Sequence, residues 1–268
     1  MYRASLRSAA VAGLISVSLV GGLSSAALAD ANPTGVERTG QAVEKATGTA
    51  GLLAGAVPGN SIPARSAGEI FVATGTGEHI SIGLPETKDS AGVSTGKGTT
   101  VYPDAASGAD LAVQATTDGA RALVVIKDKS APKEYGFDLG LPAGAEVKQL
   151  ADGSLLVVKD RMPLGLLDAP WAKDANGTPV ATSYRVEGNK IVQRVAFDDN
   201  TAFPVVADPN WKAIASAFQK VGGFAKAVGG TYADFQKWFN GKPAWVRYPL
   251  KAVMPGLSLY DLWWHLNH

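Results

Sequence analysis

The sequence predicts a mainly β protein: an antiparallel β-sandwich of about ten strands, followed by a small C-terminal α-helical module. Three observations carry that expectation. Between Glu69 and Val206 apolar residues recur with period two, and turn dipeptides punctuate the stretch at hairpin spacing. From Trp211 the apolar period becomes helical. The last sixty residues, Pro209 to His268, also differ in chemistry, holding 12 of the 21 aromatic residues and five of the six tryptophans.

Arg3 and Arg7 precede an apolar run from Ala9 to Leu23, and Ala27-Leu28-Ala29 places small residues at the −3 and −1 positions of a cleavage site. This is the layout of a Sec-type signal peptide cleaved after Ala29, which implies a secreted protein, extracellular or associated with the cell envelope. An N-terminal anchor is the alternative, but the run is short for a span and contains Gly13, Gly21 and Gly22. The next most apolar stretch, Ala244 to Trp264, is broken by Arg247, Pro249, Lys251, Pro255 and Asp261, so no transmembrane span is expected in the mature chain. The chain has no cysteine. That excludes thiolate zinc sites, thiol nucleophiles and redox pairs, and leaves stability to the core alone.

Segment 1–29 is therefore read as signal peptide. Segment 30–67, rich in Ala, Gly and Thr with few large side chains, reads as a flexible spacer, because it has little apolar surface to offset the entropy of ordering. Within it, Thr34-Gly-Val-Glu37 can form a capping box for a short helix through Ala46. Segment 68–208 is the β-domain. There Asp110–Thr117 meets Ala120–Lys127 across Asp118-Gly119, a pair suited to a type I′ turn. Val147–Leu150 meets Leu155–Val158 across Asp152-Gly153, and Ser183–Glu187 meets Lys190–Val195 across Gly188-Asn189. Strand-like flanks lie at Ile70–Val72, His79–Gly83, Thr99–Tyr102 and Phe203–Val206.

Segment 209–268 is the helical module. On a wheel at about 100° per residue, Trp211, Ile214, Phe218, Val221, Phe224 and Val228 share one half, with Lys212, Lys220 and Lys226 on the other. Gly229-Gly230 ends this helix, Thr231 caps a second with Asp234 at its third position, and Asn240-Gly241 with Pro243 stops that one. Further short helices are expected around Trp245–Val253 and Leu259–Leu266, the latter capped by Ser258.

Charge divides at the same place. Segment 30–208 carries 16 basic and 22 acidic residues, a formal −6, while the tail has seven basic residues against Asp234 and Asp261, a formal +5. Residue patterns for catalysis are weak by comparison. His79 alternates like an edge-strand residue, and no Gly-x-Ser-x-Gly elbow occurs. His265 and His268 could share a helix face but have no third ligand in view. Asp174-x-Asn176 resembles the start of a calcium loop, yet lacks the later acid, and Asn176-Gly177 explains it as a turn. Pairs of acids about 5–10 Å apart, as glycoside hydrolysis requires, arise by chance among so many carboxylates. No catalytic, cofactor-binding or metal residues are assigned, and no cofactor is expected.

Taken in order, Val101-Tyr-Pro-Asp104, Gly108-Ala-Asp-Leu111, Leu123–Lys127, Leu141-Pro-Ala-Gly144, Asp152-Gly-Ser154, Ala169-Pro-Trp171 and Phe203-Pro-Val-Val-Ala-Asp-Pro209 resemble a β-rich domain of secreted actinobacterial proteins. The same domain stands in the N-terminal region of rearrangement-hotspot-type wall-associated proteins. The resemblance implies a sandwich placed before variable C-terminal segments, and implies no catalytic residues.

The functional expectation is a non-catalytic module that contacts an anionic envelope surface, or another protein, through its basic aromatic tail. The residues expected to make contact are Trp211, Lys212, Phe218, Lys220, Lys226, Trp238, Trp245, Trp263 and Trp264. Nucleic acid is not expected as a partner, because the charge excess is modest and the chain carries an export signal. Two alternatives stand beside this one: a secreted hydrolase with an acid-based site in the β-domain, and a tail that is purely structural.

Overall fold

A computed structural model describes residues 34–52, 58–74, 77–160, 162–213, 223–242, 247 and 257–268. The fold is mainly β, as expected, but with fifteen strands among the described residues. They are β1 (Glu69–Ala73), β2 (His79–Gly83), β3 (Val93–Ser94), β4 (Thr99–Ala106), β5 (Ala109–Ala115), β6 (Gly119–Ile126), β7 (Glu134–Gly140) and β8 (Ala145–Gln149). After these come β9 (Leu155–Lys159), β10 (Met162–Leu167), β11 (Ala172–Lys173), β12 (Thr182–Glu187), β13 (Lys190–Val195), β14 (Val205–Ala207) and β15 (Asn210–Ala213). Four helices with described bounds accompany them: α1 (Gly35–Thr47), α2 (Phe224–Val228), α3 (Tyr232–Asn240) and α4 (Leu259–Asn267).

The strands form two antiparallel sheets. A 5-stranded sheet runs β1-β2-β7-β13-β12; a 10-stranded sheet runs β3-β4-β5-β6-β15-β10-β9-β8, with β14 pairing β6 and β11 pairing β14. The main core lies between their inner faces, where Ile70, Ile80, Tyr102, Leu111, Phe137, Leu155, Ile191, Phe197 and Trp211 are buried. Alternation is what makes this possible, because every second side chain of a strand reaches the same layer.

Two of the three expected hairpin turns use glycine in the way the sequence suggests. Gly153 has φ 87°, and Leu150 N donates to Ser154 O at 2.9 Å, so the turn adds one left-handed residue between β8 and β9. Gly188 has φ 60° at the first of two loop residues, as a type II′ turn requires. The third differs. Neither Asp118 nor Gly119 has positive φ, so the type I′ expectation fails there. Gly119 is instead the first residue of β6, facing β15, and a β-carbon on it would lie 2.0 Å from the Trp211 carbonyl oxygen. Close approach, rather than turn geometry, explains the glycine.

The flexible-spacer expectation for 30–67 is corrected as well. The Thr34–Glu37 capping box forms, with Thr34 N donating to Glu37 Oε2 at 2.7 Å and Glu37 N to Thr34 Oγ1 at 3.3 Å. The helix it opens is docked on the outer face of the larger sheet, where Val43 and Ala46 pack with Val101, Ala112, Leu123, Val125 and Val206. Buried Thr39 donates to Asp110 Oδ2 at 2.5 Å. Residues beyond the helix are tied down too: Ser61 pairs with Phe71, and the Tyr102 hydroxyl donates to Pro63 O at 2.6 Å. The small side chains that suggested disorder serve close packing. A β-carbon on Gly40 would stand 2.7 Å from Thr95 Cγ2.

The helix expected from Trp211 is the third correction. Trp211 belongs to β15, which pairs with β6 on one side and β10 on the other. The boundary between sheet and helical segment therefore falls after Ala213, not at Pro209. Thr231 and Ser258 cap α3 and α4 through capping boxes with Asp234 and Asp261. The helices pack on the outer face of the sheet's other end, where Phe224, Val228, Phe235, Phe239, Leu262 and Leu266 join Leu150, Leu156, Val158 and Leu166. Residues 1–33 and most of 243–256, with the signal segment and the helix expected around Trp245–Val253, lie outside the described residues.

Candidate functional site

The residues expected to form a contact surface are divided by the fold. Trp211 is 1% exposed in the sandwich core, with its indole over Gly165. A strand at that position points alternate residues to opposite faces, so Trp211 enters the core while Lys212 goes to the outer face. Trp211 is thus removed from any surface role. Lys212 is half-buried and pairs with Asp168, Nζ to Oδ1 at 2.8 Å. Phe218, Lys220 and Trp245 lie outside the described residues. Lys226 is exposed on α2.

Trp238 and Trp263 are brought together with the helical core rather than presented outward. Trp238 stacks 5.8 Å from Phe235 and meets Phe224 edge-on at 5.4 Å. Trp263 lies 5.8 Å from Tyr232 and donates from Nε1 to Gly230 O at 3.3 Å. Among the described residues the exposed aromatics are Tyr260, at 48%, and Trp264, at 43%, both on α4. The Trp264 ring stacks on His268 at 5.0 Å.

Among the described residues none of the three histidines joins a cluster of three or more ligating side chains. His79 is exposed on β2 with its ring edge-on to Phe71. His265 has its pKa lowered, first by desolvation and then by the charge of Lys148, whose Nζ donates to His265 O at 3.0 Å. Among the described residues no group of three or more side chains could hold a metal ion. Asp174 makes a turn: its carboxylate accepts from Asn176 N at 2.9 Å and Thr178 N at 2.8 Å, with Gly177 at φ 84°.

A second site appears that the sequence reading did not name. Register places Gln114, Arg121 and Asn210 in one row across β5, β6 and β15. Lys212 follows two residues along β15, opposite Leu166, and Asp168 comes two residues after Leu166. All five therefore share the sheet's outer face, because opposed antiparallel residues and residues two apart point the same way. They form a polar band between the apolar patch under α1 and the one under α2 to α4.

Over this band opens a cavity of about 370 Å³, walled by Thr49, Gly51 and Leu52 and by the turn Thr116–Asp118. Asn210 donates from Nδ2 to Asp168 Oδ2 at 2.6 Å. Asp208, fully buried, does not line the cavity. Burial holds its carboxyl well above the usual range; the Asp168 charge adds to that, while Trp171 N, donating to Oδ1 at 3.3 Å, and the Arg121 charge oppose it. Asp168 and Asp208 are near neighbours, but the second is out of reach of a molecule in the cavity. No sequence motif flags this group, since its members lie far apart in the chain and meet only through strand pairing.

Among the described residues, no helix is long and apolar enough to cross a membrane. No family model matches the chain, and no curated protein matches it. Among solved structures, a family GH92 alpha-mannosidase from Bacteroides thetaiotaomicron is similar at 9% identity and a TM-score of 0.26, over 65% of this chain and 28% of that one. The same enzyme in complex with mannoimidazole gives 9% identity and a TM-score of 0.26, over 76% of this chain and 33% of the other. The chain spans a third or less of that enzyme's length, and a likeness this weak carries no argument about fold or function.

Proposed function

We propose that the protein is an exported, non-catalytic module, related to the secreted β-domains it resembles, whose C-terminal helices contact an anionic envelope surface. The observation that carries the reading is the placement of Tyr260 and Trp264. Of the three large hydrophobic side chains exposed among the described residues, two are these, both on α4. They stand in the segment with a formal +5, next to a body of formal −6. Aromatic side chains beside basic ones suit the boundary of an anionic surface, where each nearby Lys or Arg contributes about 1 kcal/mol. The sheet-facing side of the helices is structural on this reading, and the opposite side makes contact.

The test is co-sedimentation of the mature protein with neutral and anionic phospholipid vesicles, at about 0.05 M and about 0.5 M salt. Wild type is expected to pellet with anionic vesicles at low salt only, and a Tyr260→Ala/Trp264→Ala variant to remain in solution. Point variants are the proper comparison, since ending the chain at Asp208 would remove β15 from the middle of the larger sheet. Equal partition of wild type and variant, or no preference for anionic lipid, would defeat the membrane version in favour of a protein partner or a purely structural tail.

A further inference from the structure

The polar band has its charges unevenly matched. Lys212 is satisfied by Asp168 at 2.8 Å, and the other oxygen of Asp168 is taken by Asn210 at 2.6 Å. Arg121, half-buried and lining the same cavity, has no such partner. Its guanidinium donates to the neutral Gln114 Oε1 at a long 3.4 Å, and among the described residues it forms no ion pair with a carboxylate. Gln114 itself is fixed from the far side, with Nε2 donating to Thr49 O at 2.9 Å and Thr99 Oγ1 at 3.0 Å.

The acids facing Arg121 do not supply the missing charge at contact range. Asp118 is exposed at the rim and accepts from Thr116 Oγ1 at 3.0 Å. Asp208 lies beneath the band, where desolvation favours its neutral form. Arg121 is therefore a cation without a contacting carboxylate in a concave site whose other walls offer the hydroxyls of Thr116 and Thr117, the Asp118 carboxylate at the rim and the backbone of Gly51.

We infer that this cavity is a binding site for a small hydroxylated carboxylate, of the size and chemistry of a sugar acid, with Arg121 as its carboxylate ligand. A planar guanidinium matches a carboxylate with two parallel hydrogen bonds. A guanidinium that contacts no carboxylate of the protein keeps its paired donors for one carboxylate of a ligand. A volume of about 370 Å³ is at the lower end of small-molecule sites and suits one ring rather than a chain. The site is remote in composition from Tyr260 and Trp264, so it stands or falls independently of the surface-contact reading.

The experiment is an amide NMR titration of the full mature chain with glucuronate, glucose and inorganic phosphate. Glucuronate is expected to give saturable shifts confined to residues 49–52, 116–121 and 210–212, and glucose none. Arg121→Gln, shown folded by an unchanged spectrum elsewhere, is expected to weaken glucuronate about tenfold or more, the usual effect of losing a charged hydrogen-bond donor. Should Arg121→Gln fail to fold, Thr117→Val provides the second variant, with a smaller loss expected. No saturable shift up to about 20 mM glucuronate, well above the millimolar range of weak ligands, overturns the inference. So does binding of glucose or phosphate as tight as that of glucuronate, or unchanged glucuronate binding by folded Arg121→Gln.

Discussion

The indole of Trp211 occupies the space where residue 165 would carry a side chain. A β-carbon built on Gly165 would lie 2.0 Å from Cζ2 of that ring. Gly165 lies next to a register shift in the β9–β10 ladder, which lets β10 pass the ring while still pairing with β15. Among the described residues, the one fully buried tryptophan is thus seated by a glycine some forty-six positions earlier.

Gly165→Ala is expected to destabilise the protein by about 1–3 kcal/mol, because the ring or the strand must shift to admit a methyl group. Urea unfolding followed by tryptophan fluorescence measures this directly. A midpoint equal to that of wild type would show that the contact relaxes freely.

The docking of α1 rests on one buried polar contact as well as on Val43. Thr39→Val should cost about 1–3 kcal/mol by leaving Asp110 Oδ2 without its donor. Hydrogen exchange is expected to quicken first in Gly35–Thr47, before β7 and β13. Uniform acceleration across both sheets would contradict a locally held helix.

Asp208 gives a pH prediction with a definite sign. An unfolded aspartate titrates at about 3.9, whereas burial raises the folded value well above that. The folded state holds the proton more tightly, so this contribution to stability is present at low pH and is lost as pH rises towards the folded pKa. Asp208→Asn carries no such loss. The stability of the variant relative to wild type should therefore increase as pH rises above about 4, and a difference independent of pH would refute the assignment.

Helical-layer substitutions should separate core from surface. Phe235→Ala, at a fully buried position among Phe224 and Trp238, is expected to cost about 3–5 kcal/mol. Trp264→Ala, at a position 43% exposed, should stay within about 1 kcal/mol. Comparable losses at both positions would mean that α4 is held by its outer side too.

The strands most legible in the sequence are those bounded by a turn pair, such as β8 and β9 around Asp152-Gly153, while β1, β2, β4 and β14 are legible only as strand-like flanks. β7 alternates just as cleanly, with Tyr135, Phe137 and Leu139 inward, but no hairpin dipeptide adjoins it. β15 reads as helix in the sequence for a physical reason. Trp211 and Lys212 fall on different faces in either conformation, and what decides between them is two waiting strand edges, β6 and β10, that no local window contains. In α1, small side chains were read as too little to order a segment, whereas their smallness is what lets Gly40 approach Thr95. The band of Arg121, Asn210 and Lys212 was invisible because it exists only through register.

β15 also sets the order in which the molecule can be completed. Among the described strands it is the only link in the strand order between the β3–β6 half of the larger sheet and the β10–β8 half. A chain emerging from its N-terminus can form both halves, yet each keeps an open edge until Asn210–Ala213 arrive to join them. Closure of the sheet therefore comes after every other described strand, made by the four residues of β15, and it couples the sandwich to the helices that follow.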